Sequence, residues 1–175
     1  DEGREGLAEK QLPEVERLYV SPMKRCVETA EILWPEFDRK KIQIVTDLRE
    51  CDFGDFENKN YKELSGNGDY QAWIDSNGTL PFPNGESMDL FKSRCLEAFA
   101  QIVEEVSGAE QKWKDSGETG IFRAGIVVHG GTIMAILEQY GYPKRAYFDY
   151  QVKNGCGYRL TPVEGTRLWN CLCLQ

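Results

Sequence analysis

Histidine is almost missing from this chain: 175 residues contain one, His129. Basic residues are also outnumbered, with Lys plus Arg at 21 against Asp plus Glu at 29, a net charge of −8. That balance excludes a nucleic-acid or anionic-membrane binder, since both need a basic face to release counterions from phosphates. No apolar run approaches the roughly 18 residues of a spanning helix, and no signal-peptide pattern is visible. The six cysteines contain no C-x-x-C pair. Cys171 and Cys173 fall on the same face of a strand, which suits core packing or a near-terminal pair better than zinc. Other cysteines sit in apolar patterns, the usage of reduced core thiols in a cytoplasmic protein. No metal and no cofactor is expected. Nothing repeats at a fixed period and no Pro/Gly/Ser-rich linker divides the chain, so residues 1–175 read as a single domain.

What is present is ordinary globular material, 41% hydrophobic and 29% charged, enough to bury a substantial core. Leu18-Tyr19-Val20 forms a short apolar strand from Arg17. Ser21 then reads as an N-cap and Pro22 as the first helical residue, with Met23, Val27, Ala30 and Trp34 as the buried stripe. Ile42 and Ile44 suggest a second strand with one wetter face. Residues 49–86, rich in Gly, Pro and aromatics, fit a long loop insertion with short helices that caps a site. A helix spans about Ser87 to Val106, ended by Ser107-Gly108. Ile126-Val127-Val128 is a β-branched run of the kind found in a parallel strand covered on both faces. It leads into His129-Gly130-Gly131 and a helix from Thr132 to Tyr140. Tyr158–Val163 and Arg167–Leu174 read as a terminal hairpin around Glu164-Gly165. The alternation predicts a three-layer α/β/α sandwich with a mostly parallel sheet. Only 16 residues precede Arg17, whereas a βαβ unit needs about 30. The first strand of the first unit is therefore expected to be absent.

Chemistry concentrates at two strand-to-helix junctions, where helix N-termini point N–H groups at bound anions. The first places Arg25 in the opening turn of a helix, an unfavourable position against the dipole unless an anion arrives. The second is His129-Gly130-Gly131-Thr132, where the imidazole can exchange donor and acceptor roles near neutral pH and Thr132 can cap the helix. General acid–base work needs a third group. Glu50, Asp52, Asp55 and Glu57 lie among aromatic residues that would raise a carboxyl pKa, and spacing does not choose among them.

Four segments in order resemble the histidine phosphatase superfamily, also called phosphoglycerate mutase-like. They are Ser21-Pro22-Met23-Lys24-Arg25, Leu48-Arg49-Glu50-Cys51-Asp52-Phe53-Gly54, Asn84-Gly85-Glu86-Ser87 and Val128-His129-Gly130-Gly131. The nearest flavour is that of bacterial small-molecule phosphatases similar to alpha-ribazole phosphatase. The resemblance implies that a histidine attacks the phosphoryl group of a small phosphorylated metabolite and that water hydrolyses the phosphohistidine. It matches Arg25, His129 and the Gly130 N–H to phosphate binding, with Glu50 and His129 as the catalytic pair. Glu86 and Ser87 match a supporting helix start, and Phe53 to Phe82 would shape the leaving-group pocket.

The family's opening Arg-His-Gly, which carries the nucleophile, does not occur here. The missing strand and the missing nucleophile are therefore the same gap, and the chain as it stands is expected to be inactive. Three readings follow: a truncated form of an active phosphatase, a non-catalytic relative that binds phosphorylated ligands or a protein partner, and a phosphoglycerate mutase. The retained Glu50 favours the first. Oligomeric state is not readable.

Overall fold

The computed structural model describes residues 2–77 and 79–174. Helix α1 (Glu2–Ala8) leads to strand β1 (Arg17–Val20), helix α2 (Lys24–Leu33) and strand β2 (Gln43–Ile44). Short helices α3 (Tyr61–Leu64) and α4 (Gly68–Asp75) punctuate the long loop before α5 (Met88–Asp115). Strand β3 (Ala124–Val127), helix α6 (Gly130–Tyr140) and strands β4 (Gly141–Tyr142), β5 (Gly157–Pro162) and β6 (Trp169–Leu174) complete the order. Strand β1 pairs in parallel with both β2 and β3, with Val20 opposite Val127.

Alternation along these strands separates two apolar clusters, because successive side chains leave opposite faces. Leu18, Val20 and Val127 pack with Cys26 and Ala30 of α2. Tyr19, Ala124, Ile126 and Val128 face Phe91, Cys95, Ala98 and Ile102 of α5 and Ala135 and Ile136 of α6. Helices thus cover both faces of this sheet in three layers, and most strand pairs are parallel.

The described strands group into two hydrogen-bonded sheets, ordered β2-β1-β3 and β4-β6-β5, and none of them bonds β3 to β5. Several local expectations need correction. Helix α2 starts at Lys24 rather than Pro22, and Ser21 does not cap it: the N-cap is Met23, and the serine hydroxyl is engaged elsewhere. The buried stripe of α2 is Cys26 and Ala30, with Met23 exposed. Helix α5 runs through Ser107-Gly108 to Asp115. One interior glycine costs about 1 kcal/mol, too little to stop a helix anchored by five buried side chains. Thr132 lies inside α6, whose N-cap is His129. Among the described residues no helix is long and apolar enough to cross a membrane.

Candidate active site

The register that pairs Val20 with Val127 also brings the carboxyl ends of β1 and β3 side by side. The Ser21 amide continues the ladder to the Val127 carbonyl at 3.0 Å. One residue past Val128, His129 leaves the strand as N-cap of α6, where no side chain caps the helix. Two helix starts therefore converge: α2 delivers Arg25 from its first turn, and α6 delivers His129 and the exposed Gly130.

Around the buried imidazole the contacts are specific. Ser21 Oγ lies 2.8 Å from Nε2 and an Arg25 guanidinium nitrogen 3.1 Å from Nδ1. The Cys26 thiol sits 3.6 Å from Nε2 and 3.8 Å from Nδ1, packed against the ring. Glu50 Oε2 is 3.9 Å from Nδ1 and 3.8 Å from Arg25. Burial and the nearby Arg25 and Arg94 charges lower the His129 pKa to about 4, so the ring is neutral at pH 7. Burial raises the Glu50 pKa, opposed by the Cys51 amide that donates to its carboxylate at 3.0 Å and by Arg25. Burial also raises the Cys26 pKa, which keeps that thiol protonated. The Arg25 side chain is 62% exposed, and such ion pairs contribute at most about 1 kcal/mol. Arg25 is thus held loosely over the site.

Geometry makes the choice among the four carboxylates that spacing left open. Asp52 accepts from the Gly54 amide at 2.9 Å, Glu57 from the Phe53 amide at 3.1 Å, and Asp55 from Asn84 at 3.0 Å. All three serve the loop itself, and Glu50 meets Arg25 and His129. Its segment is held by Arg94 of α5, a residue with no motif to mark it. The Arg94 guanidinium donates to the carbonyls of Asp47, Arg49 and Glu50 at 2.6–3.0 Å, and to both carboxylate oxygens of Glu86 at 2.8 and 2.9 Å. Burial opposes the charged form of Glu86, yet its bonds to Arg94 and the Asp52 amide hold the pKa below the ordinary value. Ser87 caps α5 by accepting from the Leu90 amide at 3.1 Å.

Near the site one glycine is required sterically and another leaves little room. Gly54 has a φ of +54°, and a Cβ there would strike the Pro83 carbonyl and the Gly85 amide, so the two loop strands could not meet. At Gly131 a Cβ would sit 3.2 Å from a Glu50 carboxylate oxygen. The Tyr147 hydroxyl donates to the Gly131 carbonyl at 3.4 Å, and its pKa, pushed up to about 12 by burial and by Glu50, keeps it a donor. Ser21, Cys26 and Tyr147 escaped sequence reasoning as site neighbours, because the tertiary approach of β1, α2 and the segment after α6 places them there. The loop aromatics Phe53, Phe56, Trp73 and Phe82 pack on one another, with ring centroids 5.1–6.3 Å apart. They form the interior of the loop beyond Glu50. Among the described residues no group of three or more His, Cys, Asp or Glu side chains is arranged to hold a metal ion.

The architecture is shared with solved phosphatases. The alpha-ribazole phosphatase of Shigella flexneri superposes with a TM-score of 0.71 at 18% identity, covering 99% of this chain and 80% of that one. A mycobacterial glucosyl-3-phosphoglycerate phosphatase gives 0.67 at 20% identity, covering 99% and 82%. By sequence, the chain is 30% identical over 128 residues to phosphoglycerate mutase-like protein 4 of Arabidopsis thaliana, 71% of this chain and 50% of that protein. The chain thus spans about half the length of that curated relative. The profile of the histidine phosphatase superfamily (branch 1) matches residues 4–173, and the chain belongs to that family.

Proposed function

We propose that these residues belong to a phosphomonoester phosphatase that works through a phosphohistidine on a small phosphorylated metabolite. The observation that carries this reading is the convergence of Arg25, Glu50 and His129, from three separate segments, within 4 Å of one another. Arg25, His129 and the Gly130 N–H bind the phosphoryl oxygens, where charge must be held through transfer. The nucleophile this chemistry needs is carried in the family by an Arg-His-Gly strand, which these residues do not contain. Its imidazole nitrogen forms a bond to phosphorus as the ester P–O bond breaks, and the Glu50 carboxyl gives its proton to the leaving oxygen. Water then attacks phosphorus and cleaves the P–N bond, with the Glu50 carboxylate taking the water proton.

Burial of Glu50 supports the acid role, since a raised pKa keeps more of the carboxyl protonated near neutral pH. The likeness to an alpha-ribazole phosphatase makes alpha-ribazole phosphate the first substrate to try. The six cysteines are all free thiols, in keeping with a cytoplasmic setting.

The test compares the 175-residue chain with one extended upstream by an Arg-His-Gly strand, against a broad panel of phosphomonoesters. The extended protein turns over and the shorter one does not. Equal inactivity across the panel would leave a ligand-binding relative in place of an enzyme. Transfer between carbon positions of phosphoglycerate, without release of phosphate, would make it a mutase. In the extended protein, Glu50→Gln lowers the rate by about 10²–10⁴ for poor leaving groups and much less for good ones. An equal loss for both classes removes Glu50 from the acid role.

A further inference from the structure

We infer that Ser21 is a positioning residue for His129: it accepts the Nε2 proton, so the site-facing Nδ1 stays bare until an anion arrives and binding takes up one proton there. The inference rests on the phosphoryl-site reading only for its second half. The first half follows from donor and acceptor chemistry alone. A guanidinium has donors and no acceptor, so the Nδ1 atom 3.1 Å from Arg25 must be the lone-pair nitrogen of the neutral ring. The proton then sits on Nε2 and points at Ser21 Oγ, 2.8 Å away. Ser21 is fully buried, and its hydroxyl oxygen also lies 3.5 Å from the Met23 amide. A fixed, buried acceptor therefore sets the tautomer, while the exposed Arg25 can swing away.

The second half follows because phosphoryl oxygens accept and do not donate. A bare Nδ1 repels them, and a protonated Nδ1 binds them. The charged or titratable groups around the ring are Arg25 and Cys26 of α2 and Glu50 of the loop, with the Arg94 charge acting from α5. Arg25 and Arg94 oppose a proton on the ring. An anion that draws Arg25 to itself relieves that opposition and favours the imidazolium. The same anion also favours a proton on Glu50, so the two sites of uptake must be separated.

With one histidine in the chain, a nitrogen-15 NMR spectrum contains a single imidazole, and each nitrogen reports whether it is protonated. The expected free spectrum shows Nε2 protonated and Nδ1 bare. Ser21→Ala shifts the tautomer ratio toward Nδ1–H by about tenfold or more, the cost of leaving a buried donor unpaired, and Ser21→Thr restores it. A ratio that ignores Ser21→Ala in a folded protein overturns the assignment, as does an Nδ1–H free state.

Sulfate, which carries only acceptors near neutral pH, is the probe for the second half. Saturating sulfate moves the Nδ1 signal to its protonated position, and sulfate affinity falls about tenfold per pH unit between the free-state and bound-state midpoints. Glu50→Gln keeps this pH dependence. Its loss in that variant would assign the proton to Glu50 and overturn the inference. If the tautomer responds to Ser21 as stated but sulfate leaves Nδ1 unmoved, the phosphoryl-site reading fails and the positioning role of Ser21 stands.

Discussion

Two properties of the His129 ring, burial and cationic neighbours, act in one direction. Its pKa falls from 6.5 to about 4, equivalent to roughly 3 kcal/mol. Between those values the unfolded chain carries a proton on this ring and the folded chain does not. Stability is therefore full above pH 6.5 and is lost as pH falls toward 4. Glu50 acts oppositely: its raised pKa favours the folded state at low pH, and that contribution fades as pH rises through the folded value. Urea unfolding at pH 4 and pH 7 separates them, with His129→Gln losing less stability on acidification than the unmodified chain. Equal losses would place the proton back on the folded ring. At this scale much of the candidate site was legible: Arg25, Glu50 and His129 could be named as candidates from motif order. Ser21 could not, because its hydroxyl suits an N-cap locally and only the neighbouring strand end offers it the imidazole.

Helix α5 carries more of the site than its sequence suggests. Its apolar face was legible by period, whereas Arg94 lies on its polar side like any solvated arginine. Only the fold brings the 47–50 turn over that position. The Arg94 and Glu86 side chains are 12% and 14% exposed, and breaking such a pair costs about 3–5 kcal/mol. Arg94→Ala is expected to lower stability by at least about 3 kcal/mol in denaturant unfolding and to release the Glu50 segment. A loss under 1 kcal/mol would mean that the clamp is dispensable. The same helix contains the stop signal misread from sequence. A Cβ at Gly108 meets nothing within 4 Å, so Gly108→Ala is expected to raise stability by about 0.5–1 kcal/mol, read from the same unfolding curves. A decrease would show that the helix is strained at that point.

Across the whole molecule, β3 and β5 are edges of their sheets, and both border the larger apolar cluster through Ile126, Val128, Tyr158 and Leu160. Unpaired edges beside apolar surface are a liability that an added strand relieves. Extending the chain upstream by the Arg-His-Gly strand is expected to raise Tm by more than about 5 °C, the shift that roughly 2 kcal/mol produces at this size. An unchanged Tm would show that the added strand does not join the fold.

Periodicity and the β-branched run before His129 pointed to the α/β class, while the order of four short motifs carried the family resemblance and named three candidate site residues. Those signals are local, because strand and helix periods and helix starts are set by neighbours along the chain. The tertiary structure decided which of four carboxylates faces the imidazole, what clamps it, and which hydroxyl meets His129. Each of those depends on groups tens of residues apart meeting at hydrogen-bond distance: Ser21 with His129 at 2.8 Å, and Arg94 with the Asp47 carbonyl at 2.6 Å. Parallel pairing of β1 with β3 and the packing of α5 bring them together, and no local pattern encodes that approach.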